Sequence, residues 1–261
     1  MEITTILGIL AGIIAVVGAM IFKHINFTVL INPAAFFVII VGTIATVLNS
    51  YPGKNLRCLG ALFKTLFTTQ KSGQESEIIK LMMTLASEAR KDGLLSLESR
   101  ANEIDDPFIK KGIRMVVDGM SEEYIVDVLG TEIEAMETRH ETNASIFSSA
   151  GMYAPTLGVL GAVFGLIAAM SHIDDTDAMA EAIAAAFIAT ILGIFTGYVL
   201  WNPFAKKLRV KTQDEVLIKG MAIEGLLSIQ KGDSPMMVQD KLLSVLPQSQ
   251  QEKILAELTR E

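Results

Sequence analysis

Residues 146–171 contain no charged side chain, and neither do residues 3–22 or 34–50. A fourth run, 178–204, has a single acid, Glu181, near its start. At about 1.5 Å per residue, a helix of some twenty residues spans roughly 30 Å, the thickness of a bilayer's hydrocarbon core. These four runs constrain the fold more than anything else in the chain. The third contains APTLGVLGAVFGLIAAM, residues 154–170, in which Gly158, Gly161, Ala162, Gly165 and Ala169 fall close together on a helix. Lipid has no need of a smooth glycine face, whereas a second helix does, because only small residues let two backbones approach closely. In the fourth run Ala185, Ala189, Gly193 and Gly197 repeat every four residues, with Ala182, Ala186 and Thr190 beside them.

With 51% hydrophobic residues and a mean hydropathy of +0.44, the chain of 261 residues is too apolar for an ordinary soluble domain. Its formal net charge of −7 argues against nucleic acid as a partner. Cys58 is the only cysteine, which excludes an intrachain disulfide and a thiolate cluster. His24, His140 and His172 show no metal-ligand spacing, so no metal or other cofactor is expected.

In chain order, residues 1–51 read as a transmembrane hairpin (spans 1 and 2), turning at Asn32-Pro33. A secretory signal fits the first run poorly, because Glu2 stands where a basic segment belongs and a second apolar run soon follows. Residues 52–145 read as a helical domain. Ile78, Ile79, Leu81, Met82, Leu85 and Ala86 recur at helical spacing over 75–91, and a shorter helix is expected over 94–103. Asp106-Pro107 suits a helix start, and Ser121 can cap a long helix beginning at Glu122. Residues 146–204 form the second hairpin (spans 3 and 4), and residues 205–261 read as a polar helical tail. The fold class is all-α, with four transmembrane helices, a helical domain inserted between spans 2 and 3, and a helical tail.

Basic residues near the membrane set the orientation. Lys54, Arg57, Lys64 and Lys71 follow span 2, and Lys206, Lys207, Arg209 and Lys211 follow span 4. The connection between spans 1 and 2 has only Lys23, and that between spans 3 and 4 has none. An inner-membrane protein with both termini, the insert and the tail in the cytoplasm is therefore expected.

No nucleotide-binding, zinc-protease or serine-hydrolase motif is present, and an enzyme is not expected. Pro155 and Pro203 each remove an amide donor and press on the carbonyl four residues back, at Gly151 and Val199. They read either as plain kinks or helix ends, or as a paired hinge near an inner gate. Thr190 and Thr196 either bond their own helix or line a polar path. Asp174, Asp175, Asp177 and Glu181 either complement a helix dipole or gather cations at a channel mouth. No Asp, Glu, Lys or Arg lies well inside any span. A proton relay usually needs an ionisable group within the membrane, so if ions move here a partner must bring it.

The run YAPTLGVLGAVFGLIAAMSHIDDTD, followed by AFIATILGIFTGYVLWNPFAKKL, resembles the MotA/PomA family of flagellar motor stator proteins, relatives of ExbB and TolQ. ARKDGLLSLE, DDPFIKKGIRMVVDG and EIEAMETRHE in the insert agree, and the likeness runs through about residue 245. The resemblance implies a pentameric ring of such chains around two copies of MotB, whose transmembrane helix carries the ion-binding aspartate. Ion passage would turn the ring, and its cytoplasmic domain would push on FliG in the rotor. The small-residue faces of spans 3 and 4 would then line the ring.

By the same resemblance, Arg90 and Glu98 match the charged pair that engages FliG, and Pro155 and Pro203 match prolines tied to torque. Pro155, Ala162 and Thr190 would line the ion path. Ala162 stands where sodium-driven members have threonine, which favours protons over sodium. The runner-up readings are an ExbB/TolQ-type energy-coupling subunit, with three spans rather than four, and a membrane scaffold without transport.

Overall fold

The computed structural model describes residues 2–69 and 73–258. Lys71, one of the four basic residues counted after span 2, lies outside them, as do the last three residues of the expected tail. Every regular element among the described residues is helical, and four helical stretches are long and apolar enough to cross a membrane. Helix α1 is Ile3–Phe22. Span 2 is built in pieces: α2 (Pro33–Phe36), a π turn (Phe37–Val41) and α3 (Gly42–Ser50). Asn32 starts it by accepting a bond from the Ala35 amide, with Pro33 in the first turn, where its missing N–H does no harm. Short helices α4 (Gly53–Leu56) and α5 (Leu59–Phe67) follow.

Helix α6 covers Gln74–Asp92 and ends at Gly93, whose φ of +85° suits glycine. A 3-10 turn, Leu94–Ser96, leads into α7 (Leu97–Glu103), so the helix expected over 94–103 is split. Asp106 caps α8 (Pro107–Val117) through bonds from the Phe108 and Ile109 amides. Helix α9 then runs unbroken over Glu122–Ser171, and the Ser121 hydroxyl accepts from the Tyr124 amide at its start. Asp175 caps α10 (Thr176–Phe195) by accepting from Asp177 and Ala178. A second π turn (Thr196–Trp201) joins it to α11 (Asn202–Lys231), followed by α12 (Pro235–Ser244) and α13 (Gln248–Leu258).

The chain forms two compact units: Met1–Thr69 with Arg139–Val210, and Gln70–Thr138 with Lys211–Glu261. The first holds the four apolar spans. Its exterior is crowded with exposed large apolar residues, among them Ile14, Phe37, Phe164, Ile167 and Phe187, as expected where lipid or protein replaces water. At one end, Phe63, Phe67, Phe147, Trp201 and Phe204 stack mostly edge-to-face, with centroids 5.3–6.5 Å apart. Lys207 Nζ donates to the Thr4 and Thr5 hydroxyls and pairs with Glu2 at 3.2 Å, which fixes the start of α1.

The second unit is a helical domain with its own core. Ile79, Met82, Leu85, Leu97, Phe108, Ile113, Ile125 and Leu129 pack with Met221, Leu226, Ile229, Val238, Leu242, Leu246 and Ile254. This corrects the expected division of the polypeptide. The boundary at 145/146 falls inside α9 and that at 204/205 inside α11, and the residues expected to form a tail supply a large share of the core. Burial decides the grouping: Leu226, Val238 and Leu242 are fully buried, which a free tail would not permit.

Candidate functional site

The site is built on α9 and α10, which meet backbone to backbone. A Cβ added to Gly158 would lie 2.9 Å from the Ala189 carbonyl and 3.1 Å from Gly193 Cα. One added to Gly165 would lie 2.7 Å from Ala186 Cβ, and one on Gly161 would lie 2.9 Å from Ala189 Cβ. Contacts this short leave no room for a side chain, which is why both helices carry small residues here. The glycines of this seam are taken up inside the chain, between α9 and α10. The side chains left outward are larger: Val159, Val163 and Phe164 on α9, Phe187, Ile191 and Ile194 on α10, and Tyr198 just beyond α10.

Pro155 and Thr190 lie along this seam, beside Gly197 and Gly158, and Ala162 follows Gly161 on α9. Pro155 and Ala162 are seven residues apart on one face of α9, both half-buried. Gly158 lies between them and comes close to the Thr190 backbone, so that a Cβ on Gly158 would stand 3.4 Å from Thr190 Cα. The Thr190 hydroxyl donates to the Ala186 carbonyl at 3.3 Å, and Thr196 donates to Leu192 at 2.8 Å. Both are thus bonded to their own helix, the commoner of the two readings. Asp175 serves as the cap of α10, so the acidic connection has a structural role.

Pro155 sits inside α9 without ending it. Pro203 is the second residue of α11, and the π turn Thr196–Trp201 comes immediately before that helix. A π turn widens the helix where the proline ring would press on Val199 and where an amide donor is missing. Sequence reasoning found the two prolines but not this turn, nor the π turn after Pro33. Pro203 was the available signal for the turn at Thr196–Trp201, and no residue gave one for the turn at Phe37–Val41.

Arg90 and Glu98 both belong to the second unit, one on each side of Gly93 in the chain. Arg90 is in the last turn of α6 and Glu98 in the first turn of α7. Both are exposed, and neither makes an ion pair among the described residues. Leu95, 75% exposed, stands between them. A cation, an anion and an apolar side chain flanking Gly93 are available to a partner.

Two family models cover most of the polypeptide: the motility protein A N-terminal model at residues 6–93 and the MotA/TolQ/ExbB proton channel family at residues 100–221. Motility protein A of Bacillus subtilis strain 168 is 48% identical over 247 residues, 95% of this chain and 92% of its own length. Motility protein A of Helicobacter pylori strain 26695 is 33% identical, covering 97% of this chain and 98% of its own. The chain belongs to the MotA family. Its fold matches that of the flagellar MotAB stator complex from B. subtilis with a TM-score of 0.89 at 48% identity, over 95% of this chain and 97% of that one. The C. jejuni MotAB structure matches with the same TM-score at 32% identity. Four apolar spans and membership of the MotA family make this an inner-membrane protein.

Proposed function

We propose that this chain is the ring-forming subunit of a flagellar stator unit, and that protons drive it. Five copies surround two copies of MotB, whose aspartate carries the ion, and the second unit of each copy pushes on FliG through Arg90 and Glu98. Both termini face the cytoplasm. The chain's work is mechanical rather than enzymatic. One observation carries this reading: four apolar spans hold no ionisable group well inside them, yet two are sealed together by a glycine seam. Such a body guides an ion held by another protein and cannot hold it alone. The family likeness to MotAB stator complexes supports MotB as that protein.

Protons are favoured by the lining. A dehydrated sodium ion must be surrounded by several oxygens that replace its water. Of the three lining residues, Pro155 and Ala162 offer no side-chain oxygen, and Thr190 offers one. The test expresses the chain with its MotB in a strain lacking its own stator. Swimming should survive replacement of sodium by potassium at constant pH and should collapse when a protonophore is added. Dependence on sodium with resistance to the protonophore would refute proton drive. Ala162→Thr alone should not create sodium drive, since one oxygen does not complete a coordination shell.

A further inference from the structure

Pro155 and Pro203 lie in different helices, yet the geometry ties them together. Pro155 has no N–H, so the Gly151 carbonyl one turn earlier loses its helical donor. That oxygen faces Gly197 of the neighbouring helix. A Cβ built on Gly197 would stand 2.7 Å from the Gly151 oxygen, 2.7 Å from Pro155 Cγ and 2.8 Å from Pro155 Cδ. Gly197 belongs to the π turn that leads into Pro203. Asn202, the residue before Pro203, lays its amide over Gly151: a Cβ there would meet Asn202 Oδ1 at 2.5 Å and Cγ at 2.6 Å. The interrupted turn of α9 is therefore seated in the widened turn between α10 and α11, and each proline's disturbance fits against the other's.

The neighbours at Gly197 are a backbone carbonyl and a proline ring, which cannot swing aside. Gly8, in α1, is a useful contrast. A Cβ there would meet nothing within 4 Å. A π turn is also an uncommon form of helix that recurs at functional sites. Helices α9 and α11 each contribute residues to both compact units, so a bend at this place belongs to the two helices that leave the membrane unit.

We propose that Gly151, Pro155, Gly197, Asn202 and Pro203 form one interlocked joint, in which Gly151 and Gly197 are positioning residues that make α9 and α11 bend together. This rests on reading the chain as the moving ring of a stator. The joint turns two kinks into one motion, and separating its halves uncouples ion passage from torque without dismantling the assembly.

The test uses the full chain with its MotB in a stator-deletion strain. Recovery of swimming by the unsubstituted chain is what the stator reading requires, and each variant is compared with that recovery, so the two ideas fail separately. Gly197→Ala should co-purify with MotB at the unsubstituted level but lose high-load torque about tenfold, because overpacking against backbone is not easily relieved, and Gly151→Ala should do the same because its methyl would strike the Asn202 amide that seats the joint. Gly8→Ala should stay within about twofold, since the added methyl meets nothing.

The deciding variant is Gly151→Ala with Asn202→Ala, which removes the amide that the new methyl would strike. If Gly151 matters only for space, this pair regains full torque. If the joint is interlocked, the pair assembles and torque stays low. Full torque in the pair or in Gly197→Ala would overturn the proposal, as would an equal loss in Gly8→Ala. Should Gly197→Ala fail to assemble, the pair alone decides.

Discussion

At the scale of single residues, charge on the second unit is the most direct handle on output. Arg90 and Glu98 are exposed, unpaired among the described residues and set on either side of Gly93 in the chain, so reversing either should leave the core of that unit intact. Arg90→Glu or Glu98→Lys should reduce torque in a rotation assay only partly, because exposed pairs contribute about 0.2–1 kcal/mol each. The double reversal should be worse, with membrane insertion and MotB binding unchanged. Normal torque in the double variant would make the two residues an ordinary solvated surface. The Glu141–Arg209 pair makes a second case. Arg209 donates to both Glu141 oxygens at 2.8–3.1 Å, and this bonding holds the Glu141 carboxyl below the usual carboxylate range, against a smaller opposing effect of burial. A carboxyl with a depressed pKa stabilises the fold above its unfolded pKa of about 4.3 and loses that contribution as pH falls through the lower folded value. Glu141→Gln should therefore cost under about 1 kcal/mol at pH 7, since Glu141 is half exposed and water screens the pair. In detergent melts the gap between variant and parent should close as pH falls below the carboxylate range, and a gap that widened there would contradict the assignment.

At the scale of elements, the helices legible in the sequence were those with a capping residue or a long uncharged run. Asn32, Asp106, Ser121 and Asp175 each sit at a helix start with the bond their side chain can make. The second unit's core was legible only in part. Ile79, Met82 and Leu85 recur within one helix, whereas Leu226, Val238, Leu242 and Ile254 are dispersed over α11, α12 and α13 among polar residues and read as a tail. Their partners lie more than a hundred residues away, which periodicity within a window cannot reveal. The joint was half legible for the same reason: the prolines stand out, but Gly151 has meaning only beside Asn202. A measurable consequence follows for α12. Leu242 is fully buried in the core, so Leu242→Ala should destabilise the second unit by about 2–5 kcal/mol, and removal of residues 232–261 should unfold it. Limited proteolysis would then cut within 74–138, where the parent resists. Equal resistance in the truncated chain would restore the tail reading.

At the scale of the whole molecule, the orientation proposed from basic residues can be tested directly. Single cysteines at Asn26 and Asp175 should react with an impermeant thiol reagent added to intact cells, while one at Glu103 should not. The background is Cys58→Ser, a mild change because the Cys58 thiol only donates to the Asn55 carbonyl and the Asn143 side chain. Labelling at position 103 in intact cells would overturn the topology. The apolar character of the spans bears on the cell as a whole. Synthesised alone or in excess, this subunit offers the bilayer no buried carboxylate, ammonium or guanidinium along which charge could hop. Surplus copies can wait in the membrane without short-circuiting the gradient that powers the rest of metabolism. On the proposed function, the cell's exposure to leakage is set by how many copies of the carboxylate-bearing partner it makes, so this subunit can be stockpiled while the partner is rationed.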